Sequence, residues 1–196
     1  LAGRMTLSVR FLWTANAEDG ERWFARIRKV ARPVLDGVGV HPYPAIDGVH
    51  TDPIDPTPAH EDSTLLHTFD ERAADALLGV AGPDAGSPQV LVEIRQLGGA
   101  YALDGRYPCA FDHRAAGYSL LAVGIDGVPG VQEHARRLIS AMRPWDTGRV
   151  WPNFAPPHDA ESARRAYTPA TLARLADVTA TYDPHRVMQA ASYTRA

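Results

Sequence analysis

Residues 90–99 read VLVEIRQLGG, and residues 109–125 read CAFDHRAAGYSLLAVGI. In the first stretch Val90, Val92 and Ile94 alternate with Leu91, Glu93 and Arg95, which is the period of a strand. Gly98 and Gly99 end it. In the second, Cys109 to Phe111 and Tyr118 to Ile125 read as two further strands. Strands that follow one another without an intervening helix favour antiparallel pairing, and so an α+β fold. Val131, Ala135, Leu138, Ile139 and Met142 then mark an amphipathic helix that stops before Pro144. An antiparallel sheet with helices on one face is therefore expected, followed by a C-terminal helical segment.

Upstream, Met5, Leu7, Val9, Phe11 and Trp13 alternate with polar residues and predict a strand. Asn16 is placed to cap a helix carrying Trp23, Ile27 and Val30 on one face, and Pro33 ends it. Val34 to Val40 predicts a short strand. Residues 41–62, rich in Pro, Asp and His, read as a long loop with a helical turn at Ala45 to Val49. Phe69 to Val80 predicts a helix. Downstream, Val150 to Phe154 is a short apolar stretch read as a strand. Thr168-Pro169 opens a helix that Asp183-Pro184 stops.

The 196 residues are 45% hydrophobic and 22% charged, ordinary values for a globular chain, with a formal charge of −3. No basic stripe points to nucleic acid. No apolar run reaches the roughly 18 residues of a membrane helix. The single cysteine, Cys109, excludes an internal disulfide and a thiolate metal cluster. A soluble protein, cytoplasmic rather than secreted, is expected. The chain begins at Leu1, so a missing upstream domain is an open expectation.

Candidate chemistry is sparse. Neither a nucleophile elbow nor a phosphate-cradling glycine loop is present. His41, His50, His60 and His67 lie near Asp52, Asp55, Glu61 and Asp62, but without the spacing of metal motifs; a polar loop accounts for them. Glu93 and Arg95 share one strand face, as a substrate-positioning pair or as a solvated one. Gly148 to Phe154 read GRVWPNF. There Trp151 and Asn153 either wall a pocket for a flat heterocycle or pack in an ordinary core.

Four segments, in order, resemble the FAD-linked oxidases of the berberine bridge enzyme type. They are EIRQLGGAYA (Glu93 to Ala102), CAFDHRAAGYSL (Cys109 to Leu120), GRVWPNF, and AYTPATLARLADVTATYDPHRVM (Ala166 to Met188). The resemblance implies a substrate-covering domain over residues 1–145 and a berberine-bridge-type segment over 146–196 that returns to a flavin domain. It implies FAD as cofactor, held mainly by a segment not in this chain, with the FAD-binding domain upstream or in trans. It implies oxidation of an alcohol, sugar or amine-type small molecule. Trp151 and Asn153 would contact the flavin; Glu93, Arg95, Tyr118 and Trp151 would line the substrate side.

The sequence also departs from that family. The usual Tyr before the Asn is Trp151, whose indole N–H only donates. The acid carried on a later strand in plant members is replaced at Ala122 or near it. Glu93, Tyr118 and Tyr101 are the substitute bases. The family's closing Asn is lost around Ala190, Ala191 and Ser192. A non-catalytic binding module and a stand-alone dimeric α+β protein are the alternatives.

Overall fold

The computed structural model describes residues 4–50, 55–155 and 160–188. The chain divides into two compact units, Leu1–Thr57 and Pro58–Ala196.

In the first unit, helix α1 (Ala17–Arg28) forms where expected. Asn16 Oδ1 accepts from the backbone N–H of Glu18 at 2.8 Å and of Asp19 at 3.3 Å, and arginines fill the last turn. Phe24 is buried against Phe11, with ring centroids 5.1 Å apart. The expected helical turn forms, as a 3-10 helix at Tyr43–Val49. The two expected strands do not form. Met5 to Trp13 has no strand pairing among the described residues, and of its alternating apolar residues only Phe11 is half-buried, while Leu7 is 94% exposed. Period two makes a strand only when a neighbouring strand accepts its hydrogen bonds, and none of the described residues of this unit does. Residues 34–40 instead bend around Asp36, whose carboxylate accepts from Val38 N and pairs with Arg28 at 2.6 Å.

The second unit is built on a three-stranded sheet in the order β1-β3-β2, with both pairs antiparallel. Strand β1 is Ala59–Leu66, β2 is Leu91–Gln96 and β3 is Tyr118–Ile125. The fold is α+β, as expected. Strand β1 was not expected. Its first half, Ala59 to Asp62, reads as polar loop, and it becomes a strand because β3 supplies its ladder along the whole length. Two other expected strands do not form: Cys109 to Phe111 is irregular with a bend at Ala110, and Val150 to Phe154 ends in a turn. The second folds back on itself: the N–H groups of Phe154 and Ala155 both reach Trp151 O, at 2.9 and 3.0 Å.

Helices α2 (Glu71–Ala81) and α3 (Val131–Ala141) cover one sheet face. Leu66, Leu120 and Ala122 meet Ala73, Ala81, Ala135, Leu138 and Met142 there, all buried, with Val92, Ile94 and Tyr118 packed at the margin. Each fully buried leucine contributes about 1.5–3 kcal/mol. Gly124 lets β3 approach α3 closely, since a Cβ there would stand 2.4 Å from Val131 Cγ1. His134, on α3, is buried. Its Nε2 donates to Val80 O at 3.0 Å, which leaves Nδ1 to accept from Gln89 Nε2 at 3.3 Å. That bond ties α3 to the last turn of α2.

The segment after residue 142 runs back along the free edge of β1. Leu65 N donates to Arg149 O at 2.9 Å, Thr147 N to Leu65 O at 2.8 Å, and His67 N to Trp145 O at 2.9 Å. Residues 145–149 are thus bonded to the sheet of the same unit. Two helices follow, α4 (Ala160–Ala166) and α5 (Pro169–Tyr182). Thr168 Oγ1 caps α5 by accepting from Thr171 N, with Pro169 in the first turn. Asp183 closes it, accepting from Val187 N at 2.7 Å and Met188 N at 3.2 Å. Among the described residues no helix is long and apolar enough to cross a membrane. Ala190, Ala191 and Ser192 lie outside the described residues, as does Asp52.

Candidate active site on the second face of the sheet

The pleat sorts the candidate residues. The register pairs Glu93 with Leu121 and Arg95 with Ser119, and β1 places Ser63 and Leu65 in the same cross-strand rows. These side chains point away from α2 and α3, because alternate residues take opposite faces. Tyr118 pairs with Gln96 and Leu66, on the helical side, and its ring packs 5.8 Å from Phe69. So Glu93 and Arg95 share a face and Tyr118 does not share it. Ala122 is also on the helical side, fully buried. A carboxyl group there would be sealed under the helices, and the residues that β3 turns to the opposite face are Ser119 and Leu121, both buried, and Val123, none of them acidic.

Glu93 and Arg95 are bonded to each other. Arg95 Nε donates to Glu93 Oε1 at 2.8 Å, and Nη2 lies 2.6 Å from the same oxygen. The Glu93 side chain is 16% exposed and the Arg95 side chain 34%. The outer surface of the Arg95 guanidinium lies over the Phe154 ring, 5.0 Å from its centroid. A half-buried guanidinium stacked on an arene and held by a carboxylate keeps one orientation.

Trp151 is the hub beside this pair. It packs on the buried Leu65, Leu97 and Ala116, a second small core on the side of the sheet away from α2 and α3. Three rings meet it edge-on or tilted: Tyr101 at 5.3 Å, Phe154 at 5.4 Å and Phe111 at 5.7 Å. Such pairs contribute about 0.5–1.5 kcal/mol each beyond their buried area. Asn153 lies exposed in the turn between Trp151 and Phe154. The chain therefore brings together Glu93, Arg95, Trp151, Tyr101 and the exposed amide of Asn153, with Phe111 and Phe154 as ring walls that the sequence reading had not assigned. The Ser63 hydroxyl, also on this face, is buried without a hydrogen-bond partner, a cost of about 1–3 kcal/mol.

Within residues 111–114, Asp112 and His113 fasten the wall to the C-terminal helices, while Phe111 and Arg114 face the wall itself. Phe111 enters the ring cluster. Asp112 Oδ2 accepts from Thr168 N and Oδ1 from Thr171 Oγ1, both at 2.8 Å, at the start of α5. Partial burial opposes ionisation of Asp112, but these hydrogen bonds, with the nearby His113, outweigh it and hold the carboxyl below its ordinary range. His113 is buried, and its Nε2 donates to Ala166 O at 2.6 Å. Arg114 turns back toward residues 101–104. The anchoring roles of Asp112 and His113 had one sequence signal: an Asp-His pair upstream of a Thr-Pro helix start that needs donors satisfied.

Solved structures share this arrangement of the chain. The BBE-like 1 protein of Physcomitrella patens superposes with a TM-score of 0.52 at 19% identity, over 70% of this chain and 30% of that one. The 6-hydroxy-D-nicotine oxidase of Arthrobacter nicotinovorans superposes with a TM-score of 0.62 at 22% identity, over 87% of this chain and 40% of that one. The likeness is one of fold. This chain spans well under half the length of either structure. No protein-family model matches the chain, and no curated protein matches it.

The residues on this second face suit one part of FAD and not another. An arene-lined surface with one amide and one ion pair fits a flat, polar-edged ring system. The diphosphate needs a row of backbone N–H groups. The single Gly-Gly pair, Gly98-Gly99, already serves a local turn in which Gly98 O accepts from Tyr101 N. Among the described residues no three His, Cys, Asp or Glu side chains group to hold a metal ion.

Proposed function

We propose that this chain is the substrate-side wall of an FAD-dependent oxidoreductase that oxidises an alcohol, sugar or amine-type small molecule. One observation carries the proposal: the sheet face turned away from α2 and α3 gathers Glu93, Arg95 and a Trp151-centred ring cluster at the edge of its buried centre. The fold likeness supports it. FAD, when bound, supplies the two-electron acceptor. An FAD-binding domain, upstream or in trans, would hold its phosphates.

In this assignment Trp151 walls the ring system and Asn153 offers its amide to a polar edge. Glu93 is the carboxylate placed to take a substrate proton, and Arg95 orients it. Tyr101 supplies a second acid–base group at the rim. Tyr118 has no part, since its ring lies under the helices.

A binding module without turnover is the second reading. Trp151 in place of a phenol, and no acid on the second face of β3, favour it. Riboflavin titrated into the purified chain should quench Trp151 fluorescence, and Trp151→Phe should remove that signal. Turnover with FAD and its binding domain present should fall about 100-fold or more in Glu93→Gln if Glu93 is the base. Quenching with no substrate-driven flavin bleaching would favour the module. No quenching at any riboflavin concentration would sink both readings.

A further inference from the structure

The turn that carries Tyr101 is held from outside by the packing of the Tyr101 ring on Trp151 and Phe111 and by one hydrogen-bonding side chain. Its own backbone bonds are local: Tyr101 N donates to Gly98 O at 2.9 Å and Leu103 N to Ala100 O at 3.4 Å. Beyond the Tyr101 ring, apolar contact anchors it little, since Leu103 is 66% exposed. Arg114 does the rest. Its Nη1 donates to Leu103 O at 2.6 Å and to Tyr101 O at 3.1 Å, so one nitrogen gathers two carbonyls of the turn. Its Nη2 reaches Cys109 Sγ at 3.2 Å, and its Nε lies 3.5 Å from Asp104 Oδ1. The guanidinium itself sits 5.6 Å from the Phe111 ring centroid. Behind Arg114 the backbone is fixed by Asp112 and His113, through their bonds to Thr168, Thr171 and Ala166.

We infer that Arg114 is the positioning residue of this site. It ties the 99–104 turn to residues 111–114 so that the Tyr101 ring closes on Trp151, and it sets ligand recognition without touching the ligand. Lysine cannot replace it, because a single ammonium cannot bond the two carbonyls, reach Cys109 and Asp104 from further nitrogens and keep a guanidinium face toward an arene. What the closed wall recognises rests on the function proposed above; the clamp does not.

The test uses the whole chain in two arms. Without ligand, Arg114→Ala should speed tryptic cleavage at the exposed Arg106 about tenfold, because cleavage follows the population of the opened turn. Arg114→Lys should fall between. The near-ultraviolet circular dichroism band that is lost in both Tyr101→Leu and Trp151→Phe should be lost in Arg114→Ala too. The thermal midpoint should barely move, as the turn lies outside the core. With riboflavin as probe, Arg114→Ala should weaken quenching about tenfold, and that loss should vanish in a Tyr101→Leu background.

Unchanged Arg106 cleavage and an unchanged dichroism band would overturn the inference. So would an opened turn with riboflavin affinity intact. A wild-type chain that shows the cleavage and dichroism effects but never binds riboflavin would support the clamp and refute the flavin reading alone. If Arg114→Ala does not fold, Arg114→Lys, which keeps charge and bulk, decides by the same measurements.

Discussion

Replacing Asp112 with alanine removes both acceptors at the start of α5. Thr168 N and Thr171 Oγ1, each 2.8 Å from the carboxylate, lose their partner together. Hydrogen bonds to a charged group are worth about 1.5–3 kcal/mol, and loss of a helix cap about 0.5–2. These values overlap here, because Thr168 Oγ1 still caps Thr171 N. We expect Asp112→Ala to cost about 2 kcal/mol in urea unfolding followed by tryptophan fluorescence. Asp112→Asn should cost less, since an amide oxygen can keep one of the two bonds.

The pH dependence gives the sharper test. The folded carboxyl is held below its ordinary value, so its contribution is fully present above the unfolded value, near 4. As pH falls through the lower folded value, that contribution is lost. The stability gap between wild type and Asp112→Asn should therefore be constant at neutral pH and close in acid. A gap that persists unchanged below pH about 3 would refute the ionised-carboxylate reasoning. Hydrogen exchange should show α5 loosening first in both variants, with α2 and α3 still protected.

Three further outcomes are expected. His134→Ala leaves Val80 O and Gln89 without their buried partner and should lower stability by about 2–4 kcal/mol in the same urea assay. Gly124→Ala drives a Cβ into Val131 and should cost about 1–3 kcal/mol; Val131→Ala in the same chain should recover part of it, and no recovery would mean the clash is elsewhere. Tyr118→Phe should leave riboflavin quenching unchanged, while Arg95→Met weakens it, because only Arg95 is on the second face; equal effects from both would argue that the face assignment is wrong.

Much of the fold could be read along the chain where a pattern found a partner. The period-two runs at β2 and β3 formed because each found the other across a long connection with no α-helix in it, and the α3 stripe formed because that sheet lay beneath it. Met5 to Trp13 has an equally regular alternation and is no strand, since pattern alone does not provide a ladder. Strand β1 shows the reverse. Glu61 and Asp62 hide it in a polar stretch, and pairing with Val123 and Ala122 creates it.

The site followed the same division. That Glu93 and Arg95 share a face is a consequence of their spacing by two, so sequence alone determined it. Which face that is, and that Tyr118 and Ala122 are on the other, depended on where α2 and α3 packed and on the antiparallel register. The meeting of Trp151 with Tyr101 and Phe111, and the bonds from Asp112 to Thr168 and from His113 to Ala166, join residues some 40 to 60 positions apart. Local spacing carries no information about such contacts; only the tertiary closure of the chain, driven by burial of Leu65 and its neighbours, decided them.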